Sequence, residues 1–440
     1  MSERIDLTAD SPGEGTDGAD EDIDGDGDSR DAGSRDVASR DASDRFVTRR
    51  QVLSVLGSAI AAGVAGCGGR SGSDGFDGSR PPETWPSAAK DAHNSRYAPD
   101  GSPPDRRKIA WRAPIDSVDR FPPIVTETGV FVLSRDTFRG FDRDGTERWS
   151  LSLGDDEFVG GAPTAIPGWD RIALGNGAGR LRLIDAETGR VAAERTYAEG
   201  IDAAVVAPAR DRELYVTTER GRIHALGLGS DGLTTRWTHD AFGGVDHAPA
   251  VGERIVVGTT AGVECLDHGG YGRWRRDLSD PVVTRPTLAG DLVLVGTRGH
   301  VLHAFDVETG ERLWHRTIIK NAHAGESIEG VAATPDSIYV TDSRAVHALT
   351  RHDGRRRWRH HDWERSFGPP VAVDGAVLVA DGDGLSAFDP DGGPGFGSLR
   401  PDPVRWRFVP EGSPRGLAVV GDRTYLTVAR ADGDVLLELR

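Results

Sequence analysis

His360, His361 and Asp362 set three metal-ligating side-chain types in a row. Consecutive residues on a strand point to opposite faces, so such a run does not close around one ion, and no second cluster carries ligand spacing. Asp381 and Asp383, in ADGDGL, offer two carboxylates to a cation, but a tight turn explains the same residues and is the expectation. GNGAGR, from Gly175 to Arg180, is as Gly-rich as a phosphate cradle. It joins two strand patterns instead of a strand and a helix, so no helix N-terminus would meet a phosphate, and it reads as a hairpin turn. No Gly-x-Ser-x-Gly or His-Glu-x-x-His pattern occurs. Cys265 lies in the apolar stretch GVECLD and is expected to be a small buried residue, not a nucleophile.

With no catalytic motif standing out, composition sets the bounds. The 440 residues include 58 Gly and 25 Pro but one Met, and only Lys90, Lys108 and Lys320 against 50 Arg. No long helical stripe is present, which favours many short strands joined by turns. The net charge is −17, and residues 1–45 alone hold 15 Asp and Glu against 5 Arg. An acidic surface argues against nucleic acid as a partner, because phosphates need clustered positive charge. Acid-rich, Lys-poor chains suit salt-adapted cells, where a Debye length of about 3 Å at 1 M screens carboxylate repulsion. A GC-rich genome that prefers Arg explains the Lys deficit equally well, and both readings stand.

The chain repeats itself. HAFDVETGERLWHRTI at His303 is echoed by LRLIDAETGRVAAERT at Leu181. Units of this type end at Trp149, Trp237, Trp274, Trp314, Trp358 and Trp406, one lacks its Trp near Arg195, and Trp111 opens the series. From Trp111 to Trp406 the average interval is about 42 residues, the period of a propeller or solenoid. Each unit contains four short strands. ETG makes a hairpin turn in which Gly310 takes a positive φ, Ala304 is small enough for close packing, and Trp314 fills the gap to a neighbouring blade. The last unit stops before its Trp strand, whereas IAWRAPI is a Trp strand with nothing ahead of it. Joining the two leaves no open edge. The expectation is all-β: an eight-bladed β-propeller over residues 108–440, with four-stranded blades and the last blade closed by N- and C-terminal strands. A parallel β-helix would explain the period but needs no closing pair of fragments.

Residues 1–45 are too polar and acidic to offset the entropy of ordering and read as a disordered leader. Their DIDGDGDSRD run lacks the Glu that a calcium loop needs at its twelfth position. In residues 46–67, Arg49 and Arg50 precede an apolar run from Val52 to Gly66 that ends at Cys67. Fifteen residues are too few to span a bilayer comfortably, where about 20 are needed. The stretch resembles a twin-arginine export signal joined to a lipobox. That resemblance implies cleavage before Cys67, a lipid on its sulfur, and anchoring to the outer face of the cell membrane. The long leader ahead of the arginines points to a start codon further downstream. Residues 68–83 form a flexible Gly/Ser/Asp tether with a reach of roughly 20 Å, and residues 84–107 form a lead-in.

From Ile109 onward the chain resembles the PQQ-like β-propeller repeat family. Ala304, Phe305, Asp306, Thr309, Gly310 and Trp314 carry the repeat in full, and Ile184, Asp185, Thr188 and Gly189 carry it without the Trp. The lead-in TWPSAAKDAHNSRYAPD is similar to the segment that precedes such propellers. One branch of the family, the quinoprotein dehydrogenases, holds PQQ and Ca²⁺ in the central funnel against a disulfide between adjacent cysteines, and this chain has no such pair. The other, lipoproteins similar to the B component of the outer-membrane β-barrel assembly machinery, shares the lipobox, spacer and eight units. The resemblance therefore implies an exported, lipid-anchored, non-catalytic scaffold that binds a protein or a small polar ligand, a monomer with no cofactor. A PQQ-dependent dehydrogenase is the alternative, as is a sensor or substrate-capture subunit of a membrane complex. Any site should lie on the propeller axis, where loops bring Asp156, Asp202, Asp246, His247, Arg285, Glu329 and Arg415 toward one mouth. His247 and Arg285, close to the Pro residues that fix their turns, are the foremost candidates, and solvated loop charge is the plainer account of any single one.

Overall fold

A computed structural model describes residues 84–104, 108–117, 121–154, 160–201, 203–209, 212–229, 232–393 and 402–440. Arg49, Arg50 and Cys67 lie outside the described residues. All regular structure among those residues is β-strand, gathered into eight sheets whose blade strands pair antiparallel and which form the blades of a propeller. Blade 5 shows the pattern. Its strands are Thr287–Ala289, Leu292–Gly296, Val301–Asp306 and Arg312–Thr317, running outward from the axis. The second strand is buried at every position because neighbouring blades cover both its faces, so it reads as an unbroken apolar run. The outer strand is exposed except at Trp314.

The repeated phrase is explained by its turn. Asp306 Oδ1 accepts from the Glu308 and Thr309 amides (3.1 and 2.7 Å) and from the Thr309 hydroxyl (2.8 Å), while the Gly310 amide donates to the Asp306 carbonyl (2.8 Å). Asp185, Thr188 and Gly189 repeat the arrangement in blade 2. The glycine is then used by the neighbouring blade. Gly145, Gly189, Gly270, Gly310, Gly354 and Gly392 have φ between 63° and 88°. A Cβ on any of them would come within 2.5–2.6 Å of the indole of Trp111, Trp149, Trp237, Trp274, Trp314 or Trp358, respectively. Each of these indoles donates to a carbonyl of the same turn at 2.8–3.1 Å. Bulges beside Trp149, Trp237, Trp274, Trp314, Trp358 and Trp406 re-aim those rings, and opposite them stand the small residues Gly140, Ala225, Cys265, Ala304, Ala348 and Ala387. Cys265 is thus the small residue beneath Trp274, and burial pushes its thiol up to about 12.

Two junctions depart from this scheme. In blade 2 the sizes are exchanged: Ala193 occupies the outer-strand position opposite Leu183, and Arg195 reaches Thr235 of blade 3 at 2.6 Å. In blade 8 the turn glycine Gly433 meets no ring. The innermost strand of blade 3 is reduced to a single bridge, Val206 to Tyr215. Closure follows the expectation: Ile109–Pro114 pairs antiparallel with Val435–Leu439, completing blade 8 from both ends of the propeller segment.

Candidate axial binding site

The lead-in does more than precede the ring; it crosses the axis as a strap. Its backbone bonds to the blades in turn. Trp85 exchanges both amide bonds with Val125 of blade 1, and Pro86 O accepts from Ala165 of blade 2. Ala92, His93, Ser95 and Arg96 carbonyls accept from Val251, Leu288, Ala333 and Ala372 of blades 4 to 7, and Ser102 N donates to Gly421 of blade 8. Tyr97–Ala98 also adds a parallel strand to the inner edge of blade 7. The strap follows this path because Lys90, Asn94 and Arg96 adopt φ of 80°, 56° and 48°. Such left-handed conformations are uncommon outside Gly, and asparagine tolerates them best of the three. They are held by long-range partners: buried Asn94 Nδ2 reaches the carbonyls of Pro249 (3.2 Å) and Pro286 (2.9 Å), and the Thr287 hydroxyl donates to Asn94 O (3.3 Å). Within the strap, Asp91 accepts from the amide and hydroxyl of Ser95, and Lys90 Nζ donates to Thr84 O at 2.6 Å.

Strap and ring together line an open cavity of about 250 Å³. Its wall comes from Ala88, Ala89, Asn94 and Arg96 of the strap and from the segments leading into the inner strands of blades 1 to 7, which places it on the axis. Asp246, His247, Arg285 and Glu329 line it together. Arg415 does not: a bulge between Pro414 and Gly416 takes it out of the ladder, and it is exposed. Asp156 and Asp202 lie outside the described residues. Asp246 and Glu329 are exposed, and Glu329 accepts from the Ser327 and Ser343 hydroxyls (2.6 and 3.0 Å), whereas Arg96 and Arg285 are partly buried. Acidic groups therefore sit where water reaches and basic ones where it reaches less. Burial, and then the charge of Arg285, bring the Arg96 guanidinium down to about 9. No hydrogen-bond or ion-pair partner for that guanidinium exists among the described residues.

Arg96 and Asn94 are axial residues that no sequence motif marks as a site. The signal that could have found them is the lead-in itself, whose Asn and Arg follow Ala-rich chain too short of apolar residues to form a blade. The other motifs resolve as structure. His360 pairs with Asp402 at 2.9 Å while His361 stacks edgewise on Trp363. Asp381 is buried and accepts from Ser386 and Arg407, and Asp383 projects to solvent from the turn at Gly382. GNGAGR is a hairpin turn in which Asn176 Oδ1 accepts from Arg180 N at 2.7 Å.

Among the described residues no group of three or more His, Cys, Asp or Glu is placed to hold a metal. The one described cysteine, Cys265, is buried under Trp274.

Residues 104–268 and 234–436 match the family model described as outer membrane protein assembly factor BamB. A curated relative of that description from Bordetella pertussis is 27% identical over 289 residues, 64% of this chain and 65% of that protein. The chain spans under two thirds of the length of the curated relatives it matches. Among solved structures, BamB from Moraxella catarrhalis is similar with a TM-score of 0.59 at 19% identity, covering 76% of this chain and 97% of that one. The quinohemoprotein alcohol dehydrogenase from Comamonas testosteroni is similar with a TM-score of 0.62 at 12% identity, covering 81% and 80%. At these identities the structural likeness shows the fold alone.

Proposed function

Because the chain belongs to the PQQ-like propeller family described as outer membrane protein assembly factor BamB, we propose that it is an exported, lipid-anchored, non-catalytic scaffold at the outer face of the cell membrane. It presents its propeller loops and axial cavity to a protein partner or a small polar ligand. The observation that carries this reading is the family match from residue 104 to residue 436 over a ring whose axis is crossed by the chain's own strap. A strap bonded to seven blades favours a rigid display surface over a funnel that loads a large cofactor. Cys67 carries the lipid, and Arg49 and Arg50 direct export.

Fractionation of cells producing the full chain tests this. The protein is expected in the membrane fraction, with Cys67→Ser releasing it and Arg49→Lys with Arg50→Lys retaining it inside the cell. A Cys67→Ser protein that stays with membranes as fully as the parent would sink the anchoring.

A further inference from the structure

We infer that the axial cavity is a binding site for a small oxyanion ligand, a carboxylate or a phosphate, gripped by Arg96 and Arg285. This names the ligand class within the scaffold reading and rests on it.

Arg96 carries a charge that is partly buried in the cavity wall and has no hydrogen-bond or ion-pair partner among the described residues. A charge held that way costs stability, and chains avoid it unless something else neutralises it. The fold does the reverse of avoiding it. Arg96 sits at φ 48°, with its amide donating to Ala89 O (3.0 Å) and its carbonyl accepting from Ala372 (2.9 Å). Strain that the surroundings over-determine in this way is a mark of a functional position.

The second arginine is bolted to the first. Asn94 Nδ2 bonds the Pro286 carbonyl, Thr287 bonds the Asn94 carbonyl, and Leu288 N bonds the His93 carbonyl, so the segments bearing Arg96 and Arg285 cannot drift apart. Two cations along one wall repel each other, and the charge of Arg285 adds to burial, the larger cause, in lowering the Arg96 guanidinium. An oxyanion between them reverses the sign of that interaction. Guanidinium forks match both carboxylate and phosphate oxygens in bidentate geometry. At about 250 Å³ the cavity admits a metabolite-sized molecule.

The test is calorimetric titration of the full chain with inorganic phosphate and, separately, with succinate, in a weakly coordinating buffer. The expected result is saturable binding of at least one, weakened tenfold or more in both Arg96→Gln and Arg285→Gln. Binding of phosphate alone identifies a phosphoryl ligand, and binding of succinate alone a carboxylate. A melting series separates ligand binding from misfolding: without anion, Arg96→Gln is expected to melt at or above the parent temperature, and added anion raises the parent's melting point but not the variant's. If neither anion binds, or if heat is unchanged in both variants, or if Arg96→Gln melts lower in anion-free buffer, the inference is overturned. Membrane retention through Cys67 depends on neither arginine, so the two readings fail separately.

Discussion

The indole of Trp274 lies flat against the backbone of Gly310 in the next blade: its Nε1 donates to Val307 O at 2.8 Å, and a Cβ on Gly310 would fall 2.5 Å from the ring. Five more Trp–Gly pairs repeat this contact around the ring. The glycine is required twice, once for its φ of 66° and once for the space it leaves.

Gly310→Ala should therefore destabilise the propeller by about 3 kcal/mol, combining left-handed strain of about 1–2 kcal/mol with displacement of the ring. Gly325→Ala supplies the comparison, since Gly325 has φ 87° but nothing within 4 Å of its Cβ position. It should cost only about 1 kcal/mol. Urea melts of the two variants check the difference, and equal losses would show that the ring contact contributes nothing.

Asn94 is the bolt of the strap. Asn94→Ala leaves the Pro249 and Pro286 carbonyls without this donor in a buried setting and should lower stability by about 2–4 kcal/mol. Limited proteolysis should then cut first within residues 84–104. A variant as protected as the parent would mean that the strap is held by its backbone bonds alone.

The blade 2–blade 3 junction lacks its Trp, with Ala193 opposite Leu183 and a side-chain bond from Arg195 to Thr235 in place of an indole. Amides of Val191–Thr196 should exchange with deuterium faster than those of Arg312–Thr317 in blade 5, because local opening there exposes less apolar surface. Equal protection in the two outer strands would contradict this.

Much of this architecture was legible in the sequence. Asp306, Thr309, Gly310 and Trp314 encode a local turn and a ring position, and a local geometry copied along the chain shows as a repeated phrase. The terminal fragments IAWRAPI and DVLLELR announced the closed eighth blade for the same reason. The strap was not legible. Its path depends on left-handed backbone at Lys90, Asn94 and Arg96 and on carbonyls of Pro249 and Pro286, more than 150 residues away. No periodicity records such partners, so the reading gathered His247, Arg285 and Glu329 at the axis but missed the arginine that faces them from the lead-in.

His303 gives the fold a pH dependence. Burial first, and then the charges of Arg312 and His315, lower it to about 4, and its Nδ1 is buried without a partner. The unfolded chain takes up this proton near 6.5 and the folded one only near 4. Stability is therefore fully present above about pH 6.5, falls as the pH drops, and levels off below about 4, a loss on the order of 3 kcal/mol. His224, His347 and His361 are lowered as well, so the check is the difference between parent and His303→Gln at pH 7 and pH 4. That difference should shift against the parent at pH 4, and a constant difference would rule the assignment out.

The central claim is that this propeller binds without catalysing. The direct measurement is dye reduction by alcohols and sugars with the full chain after incubation with PQQ and Ca²⁺ at molar salt. The account predicts a rate no greater than that of PQQ and Ca²⁺ without protein. A protein-dependent rate that needs both PQQ and Ca²⁺ would contradict it and make the chain a quinone-dependent oxidoreductase.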